Sequence, residues 1–307
     1  MKKQILLMVA VLLTVLFVFA EETKEKQFTE KEYEEALKKE EVNYNSNLPK
    51  MNGNIDAYCI VYDYMGRGYV KLDTDVIIQI ANFESNKSQN FKLSFSAKDD
   101  SNFSVKKDWS FKRSEIYVNK EGDGLVIKKL SLEKGKYNNI QITLTGDANE
   151  NAILNIPEYT TLQLSDLKVK NGQLFLISSM NEIRNPMFMR RDYVIVPHLT
   201  GRYDKSKTMG FYFEYYHITA DALYKEGKYE IKYKLLNVVF DKVIFEQTIS
   251  KDEVKENGAV IVPPVDLTEA FPGIYKLIVE FKDVMGNVTM THEKMFYIYK
   301  TTKEPAK

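Results

Sequence analysis

The sequence predicts an all-β protein: two tandem β-sandwiches of the immunoglobulin or fibronectin-III kind, preceded by a signal peptide and one short charged helix. Three observations predict it. The 307 residues include 20 Tyr and 17 Phe, an aromatic load that suits strands better than helices. Short runs that alternate apolar and polar residues recur along the chain, separated by clusters of Gly, Asn and Asp. A longer pattern also repeats, in which a Gly stands two residues before a Tyr that opens a strand, and the strand ends in an Asp-containing turn. It occurs at Gly135-Lys-Tyr137 and again, more fully, at Gly273-Ile-Tyr275. A tyrosine near the start of a late sandwich strand often hydrogen-bonds back to the preceding corner.

The totals bound the reading. The length accommodates two domains, each able to bury its own core. The 43 basic and 43 acidic residues cancel, so no long-range field draws the chain to nucleic acid or an anionic membrane face.

Residues 1–20 read as a signal peptide. Lys2 and Lys3 form its charged start, Ile5 to Phe19 is apolar but for Thr14, and Val18-Phe-Ala20 offers a cleavage site. The apolar stretch is shorter than the ~20 residues of a spanning helix, so no membrane span is expected after cleavage. The expected location is therefore beyond the inner membrane: periplasm, cell surface or outside the cell. Cys59 is the single cysteine and cannot form an internal disulfide; its setting in Tyr58-Cys-Ile-Val predicts a buried, inert thiol.

Residues 21–50 form a charged leader. Thr29 and Glu32 make a capping box, Phe28 and Tyr33 fall at staple spacing, and Ala36 with Leu37 continues a narrow apolar stripe to about Glu41. A short helix ended by the Asn-rich stretch at 43–47 is expected, serving as a solvated spacer or a docking helix.

The first sandwich is expected over 51–158. Ala57–Tyr64 is its first strand, with a turn at Gly66-Arg-Gly68, and Tyr69–Asn82 its second. Phe91, Leu93, Phe95 and Ala97 alternate with polar residues as a half-buried strand. Trp109 is expected between the sheets, as a lone core tryptophan of such folds usually is. The second sandwich is expected over 159–300, from the strand at Leu162, through Tyr193–Pro197, the aromatic strand Gly210–Ile218, Tyr229–Leu236 and Val243–Ile249, to the hairpin that closes at Tyr299. The polar tail, 301–307, is expected to be disordered.

At this point a resemblance can be stated. Leu164-Ser-Asp-Leu, Val196-Pro197, Phe211-Tyr-Phe-Glu-Tyr-Tyr, Tyr229-Glu-Ile-Lys-Tyr and Phe271-Pro-Gly-Ile-Tyr275 occur in an order similar to the region preceding the GWxTD domain in bacterial GWxTD-domain proteins. The part from Ala57-Tyr-Cys-Ile-Val-Tyr to Gly135-Lys-Tyr137 resembles the sandwich that opens those chains. The resemblance spans about Ile55 to Ile298. The Gly-Trp-x-Thr-Asp sequence itself is absent, so no role tied to that motif carries over. What the resemblance implies is architecture and export, with no activity.

No catalytic motif stands out, and no cofactor is implied. His198, His217 and His292 lie in no metal-ligand spacing. No nucleophile elbow and no phosphate-binding glycine loop occurs. Asp147-Ala-Asn149-Glu-Asn151 is oxygen-rich but lacks the ligand series of a calcium loop, and reads as a hairpin turn.

Two features suggest binding. Arg184, Arg190, Arg191 and Arg202, four of the six arginines, fall in one loop with Met180, Met187, Phe188 and Met189. Arg, Met and aromatics are enriched at protein interfaces. The loop either packs on its own sandwich or the first domain, its arginines paired to local acids, or forms a docking surface for an envelope protein. On the aromatic strand, Phe211, Phe213 and Tyr215 share one face, and Tyr212, Glu214 and Tyr216 the other. The second face is either covered by the neighbouring domain or exposes Tyr212 and Tyr216 to stack on a glycan. The expected function is non-catalytic binding or scaffolding in the bacterial envelope. A carbohydrate-binding module and a hydrolase with a site at the domain junction are the alternatives.

Overall fold

In the computed structural model, residues 30–65, 72–162, 169–180, 185–191, 193–262 and 264–300 are described. The signal segment, the turn at Gly66-Arg-Gly68, the stretch around Leu164, Arg184 and the tail lie outside them. Among the described residues one α-helix precedes an otherwise all-β fold, and no helix is long and apolar enough to cross a membrane.

The first sandwich comprises β1 (Asn52–Gly53), β2 (Ala57–Met65), β3 (Leu72–Ile80), β4 (Asn90–Asp99), β5 (Ser104–Lys112), β6 (Tyr117–Val118), β7 (Gly124–Leu130), β8 (Lys136–Gly146) and β9 (Glu150–Thr160). One sheet has the order β1-β9-β8-β4-β5 and the other β2-β3-β7-β6, all pairs antiparallel. Between them lie Cys59, Val61, Val76, Ile78, Leu93, Phe95, Ile140, Ile142 and their neighbours. The alternation at 91–97 appears as written, apolar side chains inward and polar ones outward. Trp109 is a correction. It lies opposite Leu93 on β5, an edge strand, so it packs half-buried against the rim of this core rather than between the sheets.

The second sandwich comprises β10 (Lys170–Asn171), β11 (Phe175–Met180), β12 (Met189–Arg190), β13 (Tyr193–Pro197), β14 (Arg202–Asp204), β15 (Thr208–Tyr216), β16 (Gly227–Asn237), β17 (Lys242–Val254), β18 (Gly258–Ile261), β19 (Val265–Asp266), β20 (Gly273–Asp283) and β21 (Val288–Tyr299). Its sheets have the orders β10-β15-β11-β13-β12, with β18 and β19 also on β15, and β14-β21-β20-β16-β17. Short β14 runs parallel to β21. Phe211, Phe213 and Tyr215 meet Tyr233, Leu277, Val279, Phe281 and Phe296 in the core.

Both tyrosine corners form. Tyr137 donates its hydroxyl to Glu133 O at 3.0 Å, and Tyr275 to Phe271 O at 2.8 Å. Tyr229 instead joins an aromatic cluster with Tyr215 and Phe281.

The leader helix, α1 (Glu30–Ser46), ends within the Asn-rich stretch at 43–47, as expected. It docks on the second sandwich although the first follows it in sequence. Its inward stripe is Tyr33, Ala36, Leu37 and Tyr44, at the spacing of one helical face. Tyr33 stacks on Phe240 at 5.0 Å and donates to Pro272 O at 2.7 Å. Tyr44, 2% exposed, donates to Thr200 O and packs beside Tyr297. Gly273 admits this contact: its φ is +154°, and a Cβ there would stand 2.9 Å from the Tyr33 hydroxyl.

The two sandwiches share a third apolar layer. Strands β2, β3 and β7 are buried on both faces: Cys59, Val61, Val76 and Ile78 enter the first core, and Tyr58, Tyr62, Tyr64, Ile77, Leu125 and Ile127 point the other way. Facing them from the second sandwich are Phe175, Ile177, Phe188, Ile195, Val196 and Tyr212. Four sheets therefore stack with three apolar layers between them.

Candidate functional site

The middle layer gathers most of the predicted site residues. Strand β15 is buried from Met209 to Tyr216, because one face fills the second core and the other faces the first sandwich. Tyr212 and Tyr216 are 0% exposed, which corrects their reading as a surface for a sugar. Between them Glu214, 1% exposed, accepts hydrogen bonds from Tyr212 at 2.7 Å and Tyr216 at 2.8 Å. The Tyr216 oxygen also accepts the Met65 N–H at 3.0 Å, linking β15 to the first sandwich. Burial holds the phenols of Tyr62, Tyr212 and Tyr216 well above the ordinary tyrosine value, so all three stay neutral, and Tyr212 and Tyr216 donate to Glu214.

The arginine segment is spent in the same layer. Arg191 meets Glu214 through Nε at 3.1 Å and Nη2 at 2.8 Å. Arg190, 3% exposed, pairs through Nη2 with Asp75 Oδ2 of β3, which is 0% exposed. Its guanidinium lies 4.9 Å from the centre of the Tyr64 ring, and Tyr64 reaches Asp75 Oδ1 at 3.4 Å. Burial raises the Asp75 carboxyl above its usual value, and Arg190 opposes the rise. Phe188 is fully buried against Tyr117, and the Met187 sulfur accepts the Ile127 N–H at 3.4 Å. As partner-binding residues Arg190, Arg191, Met187 and Phe188 are thus corrected: Arg190, Met187 and Phe188 join the sandwiches to each other, and Arg191 pairs within its own. Met189 remains 43% exposed, and exposed Arg202 lies over the Tyr297 ring at 5.0 Å. Arg184 lies outside the described residues.

Asp75 and Glu214 are the members of this network that the sequence reading missed. The available signal was a carboxylate inside a strand with apolar neighbours on both sides, as in Phe211-Tyr-Phe-Glu-Tyr-Tyr. Such a group is buried only with a partner.

A small cleft of about 180 Å³ opens at the domain junction, lined by Tyr117, Asn119, Ser178, His198, Arg202 and Lys207 among others. His198 offers it no free ring nitrogen. Nε2 lies 2.8 Å from Arg202 O and so carries the proton, while Nδ1 takes the Thr200 hydroxyl at 3.2 Å. Burial pushes this imidazole below its ordinary value, so it stays neutral. His217 pairs with Glu256 at 3.2 Å, away from the residues of this cleft, and His292 contacts Asn171 at 3.1 Å. Asp147 uses both oxygens on the Gln89 and Asn90 backbone amides, a turn-building role.

Large apolar side chains are exposed at several places, among them one end of the second sandwich. Leu223 and Tyr224, 77% and 72% exposed, sit on the turn between β15 and β16, and the Asp221 carboxylate accepts both their N–H groups at 2.8 and 2.9 Å. The β20–β21 turn, with Met285 48% exposed, joins the same end through Asp283, which accepts the Thr219 N–H at 2.9 Å.

No protein-family model and no curated protein sequence matches the chain. Among solved structures it is similar to latent PorU of Porphyromonas gingivalis, at 7% identity and TM-score 0.31, over 80% of this chain and 20% of that one. A calcium-binding mutant of Bacteroides uniformis beta-glucuronidase 2 aligns at 10% identity and TM-score 0.24, over 81% of this chain and 28% of that one. Parabacteroides merdae beta-glucuronidase aligns at 11% identity and TM-score 0.26, over 73% and 27%. The chain thus spans about a fifth to a quarter of the length of these proteins.

Proposed function

We propose that the protein is an exported, non-catalytic scaffold of the bacterial envelope that docks a protein partner at the Leu223–Tyr224 end of its second sandwich. One observation carries the reading. Two large apolar side chains are held in solvent on a turn braced by Asp221, where neither the second core nor the middle layer covers them. A pre-ordered aromatic and aliphatic pair of this kind loses little freedom when a partner pocket covers it. The Lys2–Ala20 pattern supports export, and the resemblance to the region preceding the GWxTD domain agrees with it. The welded sandwiches would carry this end as a rigid arm.

The test is affinity capture from solubilised envelope with wild type and a Leu223→Ser, Tyr224→Ser variant. Recovery of a stoichiometric protein by wild type and its loss from the variant is the expected result. Recovery of the same protein by both overturns the docking surface, and recovery of none by wild type overturns the scaffold reading.

A further inference from the structure

We propose that two copies of the protein pair through β17, antiparallel, about a two-fold axis at Gln247. The inference is independent of the partner reading above. Strand β17 is the last strand of its sheet, 13 residues long, and among the described residues it pairs only with β16. Such an edge is a template for another strand, and proteins usually guard it with charge, above all Lys. The contrast with β5, the long exposed edge of the first sandwich, is direct. In its nine residues β5 carries Lys106, Lys107, Asp108 and Lys112. Strand β17 keeps its charges at its ends, Lys242 at one and Lys251, Asp252 and Glu253 at the other; from Val243 to Ser250 it carries Glu246 alone, and Val243 and Ile244 are 42% and 41% exposed.

The bulges define the usable length. Register with β16 is unbroken from Phe245 to Lys251 and shifts on either side, between Leu235 and Leu236 and between Gly227 and Tyr229. A bulge bends the strand and ends regular pairing, so the flat template is this central stretch.

The side chains then select the axis. Phe245 and Ile249 pack toward the second core, so they mark one face of the strand. Keeping that face on one side in both copies requires an axis through a residue, not between two, because side chains alternate. An axis at Glu246 sets two carboxylates against each other. An axis at Thr248 sets Phe245 against Lys251. With the axis at Gln247, Phe245 meets the second copy's Ile249 and Glu246 meets its Thr248, each twice by symmetry. Within that stretch no like charges stand opposite, and an aromatic side chain across from a β-branched one stabilises a sheet. The five-stranded sheet becomes a ten-stranded one with an added apolar row beside each core.

Sedimentation equilibrium of the purified protein tests this. Pairing along a single strand buries a small interface, so a dimer with a dissociation constant of roughly micromolar order is expected. Gln247 is exposed, and its Oε1 accepts the hydroxyl of core Tyr233, so a substitution there removes one hydrogen bond while leaving the apolar side chains of the core in place. Gln247→Lys and Gln247→Glu each place like charges on the axis and should weaken the dimer about fivefold or more. An equimolar mixture of the two variants places Lys against Glu and should restore association to at least the wild-type level. Thermal melts of all three forms measure what the lost Tyr233 contact costs the fold, and the mixture, in which that cost persists, separates it from the pairing itself. A wild type that stays monomeric to about 100 μM, a lysine variant that dimerises unchanged, or a mixture no tighter than its components would each overturn the proposal.

Discussion

Arg190 of the second sandwich and Asp75 of the first form an ion pair with both side chains buried, 3% and 0% exposed. The pair crosses the junction between domains, so its loss should act on their union. Breaking such a pair from one side leaves an unpaired buried charge and costs about 3–5 kcal/mol. Arg190→Ala should lower stability by that order and split one denaturant transition into two. The double variant Arg190→Met, Asp75→Asn should recover much of the loss. Equilibrium urea unfolding, followed by fluorescence and circular dichroism together, measures both effects.

Tyr44 anchors α1 on the second sandwich through its hydroxyl and its ring. Removing a buried aromatic side chain costs about 3–5 kcal/mol where it cannot be replaced. Much of that cost falls on the helix, which is otherwise held by a thin stripe. In Tyr44→Ala, limited proteolysis should cut first within 30–46 and leave both sandwiches intact. Wild-type protein should resist cleavage there under the same conditions.

Two histidines should make stability fall in mild acid. Burial lowers the folded-state value of His198 and of His292. The unfolded chain therefore takes up protons first as pH drops below about 6.5, and the unfolded state gains. The contribution of these rings is complete above that pH and is lost downward toward their folded values. His198→Gln should be less stable than wild type at pH 7.5 but should lose less between pH 7.5 and 5.5. Thermal melts across that range read the slope.

Cys59 lies 1% exposed in the first core, and burial raises its thiol far above the ordinary value. An aromatic disulfide reagent should therefore detect no thiol in native protein and one per chain in strong denaturant. The rate of labelling in water then reports opening of the first sandwich.

Much of the fold was legible because strand alternation and corner chemistry are local. Phe91 to Ala97, the Tyr137 and Tyr275 corners, and the aromatic strand with two distinct faces could each be read from neighbours in sequence. The middle layer was harder because its partners lie far apart along the chain. Nothing near Arg190 names Asp75, which is 115 residues away. The arginine and methionine composition that marks an interface between proteins marks one within a protein equally well. Of the two alternatives it left open, packing on the first domain with the arginines paired to acids is the one the geometry matches. Trp109 failed for a related reason: composition says that a tryptophan buries its ring, but sheet order decides whether its strand is central or at an edge.

Helix α1 is synthesised before either sandwich, yet the groups that hold it come much later. Tyr44 waits for Thr200, 156 residues on, and Tyr33 for Pro272, 239 residues on. Full seating of the helix needs β20 and β21 in place, so it is expected late in assembly. Contacts of such long separation form slowly, and the stripe of Tyr33, Leu37 and Tyr44 stays bare until then. A chain that has finished its first sandwich still carries an open tether at its head. Loss of that tether therefore reports that the second sandwich is in place.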